Sequence, residues 1–359
     1  MAYQNVETPR FYVCILSYLK SMGNLKVAID STTNEPSTAN FISDEDLINL
    51  IGINPSDAIL LDRNPDNATI TGNNNNYDVL RWQIKSGAWF SHIMPNDKNF
   101  QMILGHNLAS AEGRYYVQAG GTGDVWDTVA NNHFINTNPP IYDGFSVRLD
   151  DNADDLLSDK VQFRIETVDN DALNYVEQLK IGSLLYGTYF EMPHSPDLSL
   201  TMTREMDGVK RVRTRGGVDL VKHQYTKSPK WGDLAPWELY DPTTAMPNQA
   251  LSRVGRRTWD LSFSYLQDSD VFPDTSSLTN YGTSGYSDGD DITENTLLED
   301  NSFFSQVIHK TNGGQLPFIF QPDKDYPEFA ICKFDMNSFQ FEQVANGVYN
   351  IKLKIREVW

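Results

Sequence analysis

The hydrophobic pattern of the C-terminal end, residues 301–359, predicts its secondary structure in order. Apolar residues at helical spacing predict a helix near 302–312, with Gly313-Gly314 at its end. An apolar run at 316–320 predicts a strand that follows at once. Two longer strands are expected to pair across Asn346-Gly347, a dipeptide that favours a tight hairpin turn. This unit of helix, strand and hairpin needs earlier strands to cover its apolar faces.

Alternation of apolar and polar residues predicts where those strands lie. The segment 256–265 places Trp259, Leu261, Phe263 and Tyr265 on one face, and 198–203 forms a second strand. From 77 to 192 the pattern predicts a β-sandwich. Its strands are expected at 79–84, 100–104, 115–119, 144–149, 161–167 and 177–189.

Within the predicted sandwich, one strand shows a regular alternation. Val161, Phe163 and Ile165 alternate with polar residues, namely Gln162, Arg164 and Glu166. Because successive side chains of a strand point to opposite faces, this pattern predicts one buried face and one solvated face.

The N-terminal segment is expected to contribute a strand and a short helix. The run 11–16 is apolar throughout and predicts a buried strand, although its period does not separate a strand from a short helix. Ser43 with Asp46 three residues later predicts a capped short helix through Ile51. The chain is therefore divided into an N-terminal segment, a sandwich and a C-terminal module, at 1–70, 71–195 and 196–359.

Three motifs of the C-terminal module follow one another in a recognisable order. They are Arg-Arg-Thr-Trp-Asp-Leu-Ser-Phe from Arg256, Leu-Pro-Phe-Ile-Phe-Gln-Pro-Asp from Leu316, and a last hairpin that ends at Trp359. In this order, with the helix before the second motif, they resemble the ring-forming module of phage distal tail and minor tail proteins. The resemblance covers roughly the last third of the chain. It implies a tail-tube-like β-sandwich or barrel with one packed helix, in a ring that is a hexamer.

Two fragments of the predicted sandwich carry a second resemblance. The segments 101–110 and 179–187 are similar to galactose-binding-like jelly-roll domains, which also occur in phage tail proteins. The expected fold class is therefore mainly β, with a jelly-roll-like sandwich beside the tail-tube-like module.

Composition limits the classes of function. The chain has 359 residues, of which 40% are hydrophobic, enough for more than one core. Its net charge of -19 argues against a general nucleic-acid binder, which needs a basic surface. No run reaches the ~18 apolar residues of a membrane span, and no signal-peptide pattern is present. Cys14 and Cys332 lie in apolar runs, so packed thiols are expected rather than a disulfide.

One region departs from the acidic composition. From Arg204 to Lys230 there are eight Lys or Arg against three Asp or Glu. A solvated hairpin that turns at Asp207-Gly208 is one interpretation. A second is that a basic ribbon docks on the acidic surface of a neighbouring copy, and a third is a DNA contact. The candidate residues for a subunit interface are Arg204, Lys210, Arg211, Arg213 and Arg215.

Four other residues are candidates for contact with a glycan or a partner protein. Trp231 and Trp237 lie on a Pro-containing loop, where they could stack on a sugar, anchor a partner or hold the loop to its own domain. His106 and Asn107 follow an apolar strand, and His106 could hydrogen-bond to a ligand hydroxyl or to a loop carbonyl. The acidic and polar segments 150–155 and 274–300 are expected to be surface loops. A calcium site is the alternative in each, but neither has EF-hand spacing.

Catalytic motifs are missing from the sequence. There is no His-Glu-x-x-His, Cys-x-x-Cys, Gly-x-Ser-x-Gly or phosphate-binding Gly-x-x-x-x-Gly-Lys, and the six histidines lack metal-ligand spacing. We therefore expect no enzyme, no cofactor and no metal site. Glycosidase carboxylates pair in space, so the sequence leaves that one class open.

Three functional hypotheses follow. The tail resemblance implies a structural virion protein, assembled in the host cytoplasm, that forms a ring with copies of itself and mounts other tail, baseplate or fibre proteins. The second hypothesis is a carbohydrate-binding protein for host-surface glycans, and the third is a glycan-cleaving enzyme. None of them involves sequence-specific binding of nucleic acid. Copy number, host and position in the tail are not set by the residues.

Overall fold

The protein is described here by a computed structural model that covers residues 6–27, 44–55, 57–61, 77–86, 88–94, 98–119, 139–141, 143–150, 159–168, 174–205, 209–223, 256–273, 297–298 and 300–358. Its strands are β1 Arg10–Cys14, β2 Leu25–Val27, β3 Ile59–Leu61, β4 Tyr77–Ile84, β5 Asn99–His106, β6 Gly113–Ala119, β7 Gly144–Asp150, β8 Lys160–Thr167, β9 Leu179–Ile181, β10 Ser183–Glu191, β11 Thr201–Glu205, β12 Val209–Arg213, β13 Asp219–His223, β14 Arg256–Gln267, β15 Phe318–Gln321, β16 Ala330–Phe334, β17 Phe341–Ala345 and β18 Val348–Glu357. The α-helices are α1 Ile15–Ser21, α2 Asp44–Asn49 and α3 Asp268–Val271, with a 3₁₀ turn at Phe90–His92 and a π-helix at Phe304–His309. The mainly-β fold class is confirmed.

A ten-stranded antiparallel sheet forms the centre of the fold. Its order is β11-β14-β18-β16-β15-β1-β10-β5-β7, and β17 pairs with β18. The N-terminal strand β1 lies between β15 and β10, where Phe11 is opposite both Phe320 and Phe190. The sheet therefore joins strands from all three predicted parts and is continuous across the predicted boundary at 195–196.

Two hydrophobic cores cover this sheet. One lies between the ten-stranded sheet and the four-stranded sheet β2-β4-β8-β6. In this core the rings of Trp82 and Phe163 meet edge to face, with their centres 5.9 Å apart. The other surrounds Phe11, whose ring lies 5.5 Å from that of Phe303, beside the π-helix. Two packed sheets agree with a sandwich, while the jelly-roll strand order stays a prediction.

The solvated face predicted for β8 is wrong. Gln162 and Glu166 are both only 6% exposed. The Arg81 side chain donates to Gln162 Oε1 at 2.8 Å, while Arg114 and Arg164 form ion pairs with Glu166 at 2.6 and 2.9 Å. Because Gln162 and the Glu166 carboxylate each have a partner, their burial is compensated. Alternation alone does not separate such a satisfied polar face from a wet one.

The N-terminal apolar run contains both of the elements that its period could not separate. The strand ends at Cys14, and α1 begins at Ile15. Cys14 and Cys332 are both free and buried, which confirms the packed thiols, and burial raises the pKa of each thiol. The strand predicted at 198–203 is β11, shifted towards the C-terminus, with Leu198 fully exposed before it.

The C-terminal hairpin is confirmed. β17 and β18 join at Asn346-Gly347, where Gly347 has a φ of 66°, a value that favours glycine. On β18, Ile351, Leu353 and Ile355 are buried. The helix predicted near 302–312 corresponds to the π-helix and the turns beside it.

Within the described residues, no helix combines the length and the hydrophobicity needed to cross a lipid bilayer.

Candidate functional site

The most exposed element of the described chain is the hairpin of β12 and β13, residues 209–223, which we call the arm. Its two strands pair only with each other, from Val209 opposite His223 to Arg213 opposite Asp219. The turn between them closes where the Thr214 amide donates to Val218 O at 2.9 Å, with Gly217 at a φ of 84°. The turn predicted at Asp207-Gly208 lies outside the described residues.

The arm carries most of the cationic residues that the sequence singled out. Lys210, Arg211, Arg213 and Arg215 lie on it together with Lys222, and Asp219 is its only acidic residue. The Arg213–Asp219 pair, at 3.8 Å, is widely exposed and contributes little stability. Because the arm contributes +4 to a chain of net charge -19, the rest of the chain carries -23. The arm is therefore a basic segment on an otherwise acidic chain.

The two faces of the arm differ in chemistry. On one face Lys210 lies opposite Lys222, and Val212 opposite Leu220, with these two apolar side chains 51% and 57% exposed. On the other face are Arg211, Arg213 and the partly exposed Val221. Like charges directly opposite each other destabilise a hairpin, and a two-stranded sheet with no covering layer is marginal in water. The arm therefore has little stabilisation from its own fold.

Arg204 lies apart from the other four interface candidates. It is on β11, directly opposite Arg257 of β14. Partial burial lowers the pKa of Arg204, and the nearby Arg257 lowers it further. The structure therefore places Arg204 beside an interior charge cluster of the sheet instead of on the arm.

That cluster is centred on the buried Arg257. The fully buried Glu357 carboxylate accepts hydrogen bonds from the backbone and side chain of Arg257, the former at 2.9 Å, and Glu328 pairs with Arg257 at 2.5 Å. Burial alone lowers the pKa of Arg257, but the two carboxylates outweigh it, so the net pKa is raised. The guanidinium also lies 5.0 Å from the centre of the Trp259 ring.

The side chains of the candidate glycan contacts His106 and Asn107 make hydrogen bonds within the protein. The Asn107 side chain donates to Gln178 O at 2.8 Å and accepts from the Lys180 amide at 2.7 Å, so it joins the end of β5 to β9. His106 is buried, and its Nδ1 accepts from the Leu108 amide at 3.2 Å. Among the described residues, its Nε2 has no hydrogen-bond partner.

Burial lowers the pKa of His106 to about 4, and the nearby Asp143 opposes this shift only in part. In the unfolded chain the pKa of a histidine is about 6.5, so below that pH the unfolded state binds the proton first. We expect the free energy of unfolding to fall by about 3 kcal/mol between pH 6.5 and pH 4, and this contribution to be constant below pH 4. Urea unfolding of the wild type and of His106→Leu across this range measures it, with a smaller pH slope expected for the variant.

The exposed His92 supplies a matched control for this measurement, because His92→Leu removes an imidazole from the surface. It should keep the wild-type slope. An unchanged slope in His106→Leu contradicts the expectation.

Several sequence predictions fall outside the described residues. These include Trp231, Trp237 and most of the two acidic loops. Within the described part, no group of three or more His, Cys, Asp or Glu is placed to hold a metal ion.

The sequence pattern missed one surface residue, Tyr265. Alternation placed it on the buried face, but it is 75% exposed and has a φ of 63°. A bulge between Phe263 and Leu266 shifts the register of β14 against β18, so Leu266 takes the buried place. The only signal in the sequence is the consecutive pair Tyr265-Leu266, which breaks the alternation.

No protein-family model, curated protein or solved structure matches the chain.

Proposed function

We propose that this chain is a structural protein that assembles with copies of itself into a ring, as a distal tail or minor tail component of a virion that mounts other tail, baseplate or fibre proteins. The observation that carries self-assembly is the arm, an exposed basic hairpin with a half-exposed apolar pair on an acidic chain. The order of motifs in the C-terminal module supports the ring and the place in a tail. An acidic inner surface would let DNA pass without binding.

The arm supplies the geometry that such an assembly requires. Each copy carries one arm and one strongly acidic body, which are different surfaces of the same molecule. A contact between different surfaces is head-to-tail, and it repeats until the rotation closes a ring. Opposite charges bring the copies together and orient them, while burial of exposed apolar side chains of the arm stabilises the contact.

Charge reversal on the arm tests the proposal. We expect Arg211→Glu/Arg213→Glu/Arg215→Glu to abolish ring formation, because the arm then repels the acidic body of the next copy. Mass photometry and negative-stain imaging of the full chain measure it, with rings for the wild type and monomers for the variant. Raising the salt concentration should weaken the wild-type ring, since exposed charges are screened.

A control makes the same change in charge elsewhere. Lys26, Lys85 and Lys180 are exposed outside the arm, so replacing all three with Glu should leave the ring intact. The proposal is wrong if rings persist in the variant with the charge-reversed arm, or if the wild type stays monomeric at about 100 μM. The carbohydrate-binding alternative now rests on Trp231 and Trp237, and a glycan array with Trp→Ala variants discriminates it.

A further inference from the structure

Tyr265 combines two features that are unfavourable for an isolated chain. Its φ of 63° lies in the left-handed region, which strains a bulky residue, and its ring is 75% exposed to water. A strained, exposed aromatic residue at a bulge is more typical of a contact site than of a site that stabilises the fold.

Two contacts hold Tyr265 in its strained backbone conformation. The Tyr265 amide donates to Asn350 Oδ1 at 3.0 Å, which fixes the bulge against β18. Leu266 packs into the core opposite Tyr349, so the side chain of Tyr265 is turned outward. The bulge is therefore anchored on both sides of the residue it exposes.

The surface around Tyr265 is acidic and partly apolar. Glu342 is directly opposite Asn350, and the partly exposed Val344 follows on the same strand. Asp268 and Asp270 belong to α3, which begins three residues after Tyr265. We call Tyr265, Glu342, Val344, Asp268 and Asp270 the bulge patch; the neighbouring cation on β18 is Lys352.

We infer that the bulge patch is the acceptor for the arm of a second copy, an inference that rests on the proposed function. The face of the arm with Arg211, Arg213 and Val221 matches it in chemistry. A guanidinium stacks well on a tyrosine ring, and Val221 and Val344 are both aliphatic. Asp219 lies on the same face opposite Arg213, but the arm as a whole has a net charge of +4, which the three carboxylates of the bulge patch complement.

The test uses Tyr265→Asn in the full chain. Asn tolerates a positive φ, so the variant should unfold at the same temperature as the wild type or higher. Because aromatic anchors dominate interfaces, the dissociation constant between copies should rise at least about tenfold. Analytical ultracentrifugation and thermal unfolding measure the two quantities on one sample, and Tyr265→Phe, which keeps the ring, should assemble like the wild type.

Tyr326→Asn is the matched control, since it removes another partly exposed tyrosine outside the bulge patch and should leave the dissociation constant unchanged. An exchange of charge between two variants is an independent test. Chains with Glu342→Arg should regain association with chains that carry Arg211→Glu/Arg213→Glu.

The outcomes separate this inference from the proposed function. If the arm variant is monomeric while Tyr265→Asn assembles normally, the arm binds elsewhere and the bulge patch is not its acceptor. If both variants assemble like the wild type, the proposed function fails as well. A lower unfolding temperature for Tyr265→Asn, or loss of association in Tyr326→Asn as well, also overturns the role of Tyr265 as an anchor.

Discussion

Replacement of Gly187 by Ala is expected to lower the free energy of unfolding by more than about 3 kcal/mol. Gly187 lies on β10, where a Cβ would stand 2.0 Å from Val13 O and 2.8 Å from Ile15 N. Both contacts are with backbone atoms of the β1–α1 junction, so no side-chain rotation can relieve them. The two strands must move apart, and β1 is the strand that joins the two halves of the ten-stranded sheet.

Urea unfolding and the yield of soluble protein measure this effect. Gly216→Ala is the control, because the nearest atom to its added Cβ is Thr214 Oγ1 at 4.0 Å. That variant should match the wild type in both quantities. A Gly187→Ala protein within about 1 kcal/mol of the wild type would show that β1 and β10 can separate at little cost.

The elements that local chemistry determines were predicted well. The C-terminal hairpin is an example, because Asn346-Gly347 sets the turn and the apolar alternation sets which face of β18 is buried. Most strands of the sandwich also follow from alternation and turn residues, within a few residues at their ends, but the single strand predicted at 177–189 is two strands, β9 and β10, in different sheets. Both signals act over short distances along the chain.

Features that depend on distant partners were not predictable in this way. The central place of β1 depends on pairing with strands about 180 and 310 residues away. The buried Gln162 and Glu166 depend on arginines from two other strands, and the exposed Tyr265 depends on a bulge against β18.

The candidate interface was only partly predictable. A local excess of Lys and Arg predicted a basic segment, and four of its five candidate residues lie on the arm, whereas Arg204 belongs to the sheet edge. The hairpin of the arm is described around Arg215-Gly217, where two glycines permit the turn. The bulge patch had no comparable signal, because its residues come from three separate elements.

Replacement of Glu357 by Gln is expected to lower the free energy of unfolding by about 3–5 kcal/mol. The change keeps the size of the side chain but removes the fully buried carboxylate, which pairs with the Arg257 guanidinium at 3.3 Å and accepts from its backbone amide. Glu328 then remains as its carboxylate partner, and that residue is partly exposed. Burying an under-compensated guanidinium costs far more than losing an exposed ion pair. Urea unfolding at neutral pH measures the difference, and Glu177→Gln, which changes an exposed carboxylate, should have almost no effect.

A double variant separates the cost of the unpaired charge from the value of the pair. Arg257→Met/Glu357→Leu replaces the two fully buried charges with apolar side chains, and only the partly exposed Glu328 loses its arginine. We expect it to be more stable than Glu357→Gln, because most of the loss of unfolding free energy in the single variant comes from the Arg257 guanidinium, which has lost its fully buried carboxylate. A double variant that is less stable than the single one would instead mean that the pair itself holds β14 against β18. β11 pairs with β14, and the chain continues from β11 to the arm. Loss of the ring in a double variant that still folds stably would therefore show that the buried pair helps to position the arm.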